Sequence, residues 1–291
     1  MTNGFSPVIA GTIRWGSWGA KLSTAKMGKL IEECLEIGVD TFDHADVNGN
    51  YTTEKEFGQA LLESGVDRSK IKIIVKSGIV KPCSEKPQYT ISHYDNRKAY
   101  IIDSVHQSLV NLNTDYLDMY MIHRGSPMLH FEEIAEAFQE LQQAGKVKAF
   151  GVSDFTHTQI RAMNRYFPLT SCQMEVSMLQ NEAMYDGRLD ICMELGIKPV
   201  SWSPIGGEAI FAASKNGKKR FEKLEQVAQS YGWTVTEMGL LFLLHHPARI
   251  LPVVNAPKIQ KIKEFTDLLH TSITNEQWFE ILRVIRGEDV S

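Results

Sequence analysis

Ile71-Lys72-Ile73-Ile74-Val75-Lys76, followed at once by Ser77-Gly78, is a short apolar run with a lysine near each end. Runs of this length that are rich in β-branched residues read as strands, and continuous apolar character marks a strand covered on both faces, as in a parallel sheet. Seven further runs resemble it: Val8 to Trp15, Val39 to Ala45, Tyr116 to His123, Val147 to Ser153, Ser171 to Val176, Lys198 to Trp202 and Arg249 to Val254. Between them, apolar residues recur every three or four positions, the pattern of a helix that covers a sheet. Leu30, Ile31, Cys34 and Leu35 form one stripe, Ile101, Val105 and Leu109 another, and Ile134, Ala137, Phe138 and Leu141 a third that Gly145 ends. Eight strands alternating with helices predict an α/β fold, a single (β/α)8 TIM barrel. Asn275 to Arg286, with Trp278, Ile281, Leu282 and Ile285, predicts an extra C-terminal helix.

The chain has 291 residues, and a barrel of this kind uses roughly 250 as one unit. No internal repeat, low-complexity tract or Pro/Gly/Ser-rich linker divides it, so residues 1–291 are expected to form one domain. The formal net charge of -4 and the lack of a long Lys/Arg block argue against nucleic acid as a partner. The longest apolar stretch, Leu240 to Leu244, is far shorter than the roughly 18 residues of a membrane span, so no membrane partner is expected either. Met1 to Pro7 lacks the features of a secretory signal, and a cytoplasmic location follows as an expectation. The cysteines, Cys34, Cys83, Cys172 and Cys192, are scattered, with neither a C-x-x-C nor an H-E-x-x-H pattern to call for a metal; reduced, mostly buried thiols are expected. The charged segment Lys215 to Lys223 reads as a solvated helix start.

No G-x-G-x-x-G and no G-x-x-x-x-G-K-[ST] occurs, which disfavours a doubly wound dinucleotide fold and a P-loop. Ionisable residues gather instead at the ends of successive runs: Asp43 in Thr-Phe-Asp-His-Ala, Lys76 in Ile-Val-Lys-Ser-Gly, and His123 in Met-Ile-His-Arg. On a barrel these three converge on one rim. A single such residue is as readily a salt bridge or a helix cap; three together point to an active site. A lysine beside an aspartate stays charged, and a histidine can donate to a carbonyl oxygen that gains negative charge, so the set suits polarisation of a C=O group. Lys81 to Tyr94, the longest irregular insertion, follows a strand, where a barrel keeps its chemistry.

Over nearly its whole length the chain resembles the aldo-keto reductase family, bacterial members above all. The resemblance rests on Gly38-Val39-Asp40-Thr41-Phe42-Asp43-His44-Ala45-Asp46, Glu54, Phe57-Gly58 to Leu61, Lys76, Ile122-His123-Arg124, Gly145-Lys146-Val147 with Gly151-Val152-Ser153, Gln173 with Glu175, and Trp202-Ser203-Pro204, taken together in order and spacing. It implies a barrel that holds NADP(H) without a Rossmann motif. Hydride passes to a carbonyl carbon while a tyrosine, tuned by lysine, aspartate and histidine, protonates the oxygen. Asp43, Lys76 and His123 match three of those four positions. The tyrosine lies five residues after the aspartate, and here Asn48 occupies that place.

A carboxamide donates a hydrogen bond but has no proton to deliver, and loss of general acid catalysis costs on the order of 10² to 10⁴ in rate. Tyr51 is either a phenol that folds back to compensate or a packed loop residue; His123 is the other candidate donor. For the cofactor, the resemblance assigns Ser153 and Gln173 to the nicotinamide carboxamide, Trp202 to the ring face, and Ser203 with the Ile205-Gly206-Gly207 turn to the pyrophosphate. Asp154 stands where the family has asparagine and turns a donor-acceptor amide into an acceptor. Ala256 lacks the usual hydroxyl, and Lys261 replaces the arginine that grips the 2'-phosphate, so weakened NADP(H) binding is expected. Lys258, Lys261 and Lys263 equally fit an exposed helix start, and Gly206-Gly207 a plain turn. Trp15, Trp18, Tyr89 and Tyr94 are candidates either for a pocket wall or for packing.

Three functions follow. The first is an NADP(H)-dependent oxidoreductase acting on a small-molecule carbonyl or alcohol, slowed or redirected by Asn48. The others are a Schiff-base lyase or isomerase using Lys76, and a catalytically impaired nucleotide-binding sensor.

Overall fold

The fold is built by alternation along each strand. In β3 (Lys72–Ser77) Ile73 and Val75 pack outward against helices, while Ile74 joins an interior cluster with Ile9, Met119, Met121, Val200, Leu251 and Val253. A two-residue period then turns Lys72 and Lys76 inward as well. The structure, a computed structural model, describes residues 4–206 and 215–289. The remaining barrel strands are β1 (Ile9–Gly11), β2 (Thr41–Asp43), β6 (Met119–Ile122), β7 (Phe150–Ser153), β8 (Ser171–Glu175), β9 (Lys198–Trp202) and β10 (Leu251–Val254). They close in the order β1-β10-β9-β8-β7-β6-β3-β2, with every neighbouring pair parallel. Seven of the eight sequence runs contain one of these strands, and the eighth, Ile71 to Lys76, covers all of β3 but Ser77.

Helices α1 (Thr24–Glu36), α2 (Thr53–Ser64), α3 (Lys98–Asn111), α4 (Phe131–Gln143), α5 (His157–Tyr166), α6 (Arg188–Leu195) and α9 (Ile259–Asp267) alternate with the strands; α7 (Lys215–Ser230) and α8 (Val235–Leu244) together join β9 to β10. The stripes expected in α1, α3 and α4 are the faces these helices bury, with Leu35 at the half-buried margin. α7 opens at Lys215, as the charged run suggested. α10 (Asn275–Arg286) covers the predicted span and packs on α7 and α8 through Ile281, Leu282 and Ile285. Trp278 stacks on Phe242 at 4.5 Å and donates its N–H to the Phe242 carbonyl at 2.9 Å. Each fully buried apolar side chain there contributes roughly 1.5–3 kcal/mol.

One expectation is corrected, and one open alternative is decided. The insertion Lys81 to Tyr94 is not wholly irregular: its far end, β5 (His93–Tyr94), pairs antiparallel with β4 (Ile79–Val80) just ahead of it. Trp15 is fully buried core, its indole N–H donating to the Ala256 carbonyl at 2.9 Å, and is no pocket wall.

Candidate active site

The alternation that buries Ile74 also sets the rim. One or two residues beyond the interior cluster, at the C-terminal ends of the strands, the inward positions are Gly11, Asp43, Lys76, His123, Ser153, Gln173, Trp202 and Asn255. Gly11 is required here, because a Cβ would lie 1.9 Å from Asn255 Oδ1. The other seven line one cavity of about 1120 Å³, together with Asn48, Arg124, Asp154, Ser203, Ile205 and Lys261. Of the residues assigned from the sequence to catalysis or to the cofactor, the structure brings together Asp43, Asn48, Lys76, His123, Ser153, Asp154, Gln173, Trp202, Ser203, Ile205 and Lys261, while Gly206 is not in the lining. That glycine has φ +79° and donates its N–H to the Ser203 carbonyl at 2.8 Å, a turn beside the cavity. Gly207 lies outside the described residues.

Lys76 Nζ donates to Asp43 Oδ1 at 2.5 Å, and both side chains are almost fully buried. Asn48 sits in the turn that leads into α2. Its backbone N–H donates to the Ala45 carbonyl, and its carbonyl accepts from Thr52 and Thr53. The residue is 6% exposed, yet its carboxamide has no side-chain hydrogen bond among the described residues and lines the cavity. Burial first, then the charges of Lys76 and Arg124, pushes the His123 imidazole well below its usual range, and its buried Nδ1 has no partner among the described residues. The ring is therefore neutral near pH 7: it can donate one hydrogen bond but carries no spare proton.

Behind the rim, His44 Nδ1 pairs with the Thr12 hydroxyl at 3.0 Å, and that hydroxyl donates to the Asp43 carbonyl. Burial, aided by Lys76, lowers His44 to about 3. Glu54 on α2 accepts from Ser108 at 3.0 Å and from Asn111 at 3.4 Å, and burial raises its carboxyl to about 7. Thr12 thus ties the loop after β1 to the β2 end, and Glu54 ties α2 to α3.

Tyr51 does not compensate for Asn48. Its hydroxyl donates to the Ile79 carbonyl at 3.2 Å and accepts from the Lys81 N–H at 2.9 Å, so the phenol ties the hairpin down and does not line the cavity. Tyr89 packs edge-on against His93 and Tyr94 is exposed, both away from the cavity lining; Trp18 alone of the four aromatic candidates faces it.

One part of the site was not foreseen. Asp154, at φ +51°, accepts from Trp202 Nε1 through both carboxylate oxygens at 3.1 Å and is ion-paired with Arg124. Arg124 and Asp154 each stand one residue past an inward strand end on neighbouring strands β6 and β7. That adjacency of opposite charges was the available signal. Along α9, Lys261 pairs with Glu264 at 2.8 Å and Lys263 with Asp267 at 2.5 Å; Lys261 and Glu264 both line the cavity.

Polar groups on a parallel barrel's C-terminal rim, around a deep cavity, form an enzyme site, and comparison with known proteins gives its class. The chain matches the aldo/keto reductase family over residues 7–286, and it belongs to that family. It is 40% identical over 290 residues to the uncharacterized oxidoreductase YcsN of Bacillus subtilis (strain 168), covering 98% of this chain and 96% of the relative. It is 34% identical over 291 residues to a 6-dehydroglucose reductase of Agrobacterium fabrum (strain C58 / ATCC 33970), covering 98% and 96%. The fold superimposes on the glycerol dehydrogenase AKR11B4 from Gluconobacter oxydans with a TM-score of 0.83 at 21% identity, covering 99% of this chain and 94% of the other. The protein is an oxidoreductase of the aldo-keto reductase class. Among the described residues no helix is long and apolar enough to cross a membrane.

Proposed function

We propose that the protein reduces a small polar aldehyde or ketone, or oxidises the corresponding alcohol, with NADP(H), and that Asn48 lowers the rate. The observation that carries this is the single cavity in which Asp43, Lys76, Asn48 and His123 stand beside Ser153, Gln173 and Trp202. Gln173 Nε2 is a buried donor without a partner among the described residues, 1% of the residue being exposed, which fits the carbonyl of a nicotinamide carboxamide. The reduced nicotinamide supplies the hydride. The protein's part is to hold the ring against Trp202, to fix the carboxamide with Ser153, Asp154 and Gln173, and to stabilise the oxygen that gains charge. Ser203 and Ile205 suit the pyrophosphate and Lys261 the 2'-phosphate, the last with its charge shared by Glu264. The 34% identical 6-dehydroglucose reductase supports a polyhydroxylated carbonyl as the substrate class. Free thiols at Cys34, Cys83, Cys172 and Cys192 are in keeping with the cytoplasm.

A Schiff-base role for Lys76 is disfavoured by the Asp43 ion pair, since a charged amine is a poor nucleophile. The test is direct. NADPH is expected to quench tryptophan fluorescence in the parent chain and not in Trp202→Leu, and Asn48→Tyr is expected to raise reduction of a panel of aldehydes on the order of 10²-fold. Quenching without any gain from Asn48→Tyr points to a nucleotide-binding sensor instead.

A further inference from the structure

The site lacks its expected acid, and the remaining groups on the cavity wall narrow the source of the proton. Asp43 and Asp154 are engaged as acceptors, the first from Lys76 and the second from Arg124 and Trp202. Guanidinium groups such as those of Arg14 and Arg124 do not release a proton in proteins. Lys261 is held by both carboxylate oxygens of Glu264. The neutral His123 ring donates a hydrogen bond without giving up a proton, and Tyr51 is committed to the hairpin.

Lys76 remains. Among the described residues its ammonium makes one hydrogen bond, to Asp43, and it shares the cavity wall with the unpartnered Asn48 carboxamide. A carboxamide is far smaller than the phenol that the family resemblance places at this position, and both Asn48 and Lys76 line the same cavity.

We infer that in this chain Lys76 itself protonates the substrate oxygen, with Asn48 and His123 as the hydrogen-bond donors that hold it. The inference rests on the function proposed above. As hydride adds to the carbonyl carbon, the C=O π pair moves to oxygen. That oxygen forms its O–H bond as an N–H bond of Lys76 breaks. The neutral amine left beside Asp43 takes up one proton from bulk solution through the cavity mouth, so the reduction as a whole consumes one hydride and one solution proton. Oxidation of an alcohol runs the same transfer backwards.

Arginine at this position keeps a positive charge and N–H donors but cannot release a proton, which separates proton transfer from electrostatics. In single turnovers with NADPH and an aldehyde, Lys76→Arg is expected to lose on the order of 10² to 10⁴ in rate while quenching by NADPH persists. In Lys76→Ala, methylammonium is expected to restore at least about tenfold; tetramethylammonium, a cation with no N–H, restores nothing. Acetate binding to the cofactor-free protein, measured by calorimetry, gives a readout independent of turnover. A carboxylate oxygen takes the place of the substrate oxygen, and Lys76→Ala is expected to weaken it about tenfold or more. Lys76→Arg within about twofold of the parent rate, equal rescue by both ammonium ions, or acetate binding indifferent to Lys76→Ala would each overturn the assignment. Absence of NADPH quenching in the parent chain would overturn the proposed function alone, and the acetate measurement would still decide whether Lys76 reaches the oxygen.

Discussion

Two lysine–aspartate pairs join β3 to β2 and the residue just ahead of it, at opposite ends of the barrel, and the same residue types stand in different surroundings in them. Lys72 and Lys76 lie on one inward face of β3, with Ile74 between them. At the N-terminal end Lys72 pairs with Asp40, each side chain 30% exposed. At the C-terminal end Lys76 pairs with Asp43 at 2.5 Å, with 6% and 11% exposed. The deeper pair opens onto the cavity, and its charge reaches the buried groups around it. Lys76 helps lower His44 and His123 and tempers the rise of Glu54. Lys72 contributes to none of these shifts. Depth and access to a cavity, more than pairing itself, distinguish the two pairs.

The largest expected effect sits at the top. Lys76→Met should lower carbonyl reduction by on the order of 10² to 10⁴, measured as kcat/KM with NADPH and an aldehyde. A loss under about threefold would erase the distinction between the two pairs.

A second test reads the electrostatic reach of Lys76 through Glu54. Its carboxyl titrates at 4.5 when unperturbed and at about 7 in the fold, so the folded state favours the protonated form. Stability from this group is full below about pH 4.5 and is lost as pH rises through about 7, a change on the order of 3 kcal/mol. Glu54→Gln should remove that slope from denaturant melts taken at pH 4.5 to 8. The groups that face Glu54 are Asp46 ahead of α2, Lys76 on β3, and Ser108 and Asn111 on α3. Lys76→Met should therefore move the loss to higher pH, and Lys72→Met should leave it where it is.

Between the extremes lies the Arg124–Asp154 pair, on the same rim as Lys76 but with the arginine 36% exposed. Asp154→Asn would supply an amide donor to the nicotinamide carboxamide and free Arg124, and NADPH affinity by fluorescence titration should tighten about tenfold. Unchanged affinity would mean that this pair, like that of Lys72, is structural.

This pair also marks where sequence reading stops. Strands buried on both faces announce themselves as continuous apolar runs, so all eight were legible. Asp43, Lys76 and His123 were legible because an ionisable residue at the end of such a run has only the rim to go to. The α10 span followed from its spacing of Trp278, Ile281, Leu282 and Ile285. What alternation does not encode is contact between residues one step past the strand ends. Arg124, Asp154 and Trp202 come from three strands, and Asp154 needs a left-handed backbone to meet the other two. Two-residue strands such as β4 and β5 are too short to show a period. Trp15 and Trp18 lie three residues apart with equal chemistry; only the loop after β1, where the Trp15 indole finds the Ala256 carbonyl, sends one to the core and the other to the cavity.

The smallest effect belongs to Lys72, and it is the control on which the comparison turns. Its ammonium is partly solvated, so water takes up much of the charge when Asp40 is lost, and a pair of this kind contributes less than about 1 kcal/mol. The Lys72 backbone N–H also donates to the Asp40 carbonyl at 2.7 Å, a bond that the side chain does not control. Lys72→Met should thus shift denaturant stability by less than about 1 kcal/mol and leave kcat/KM within about twofold. A drop in kcat/KM comparable to that of Lys76→Met, with stability intact, would show that charge anywhere on the inward face of β3 drives the chemistry. The depth of the Asp43 pair would then explain nothing.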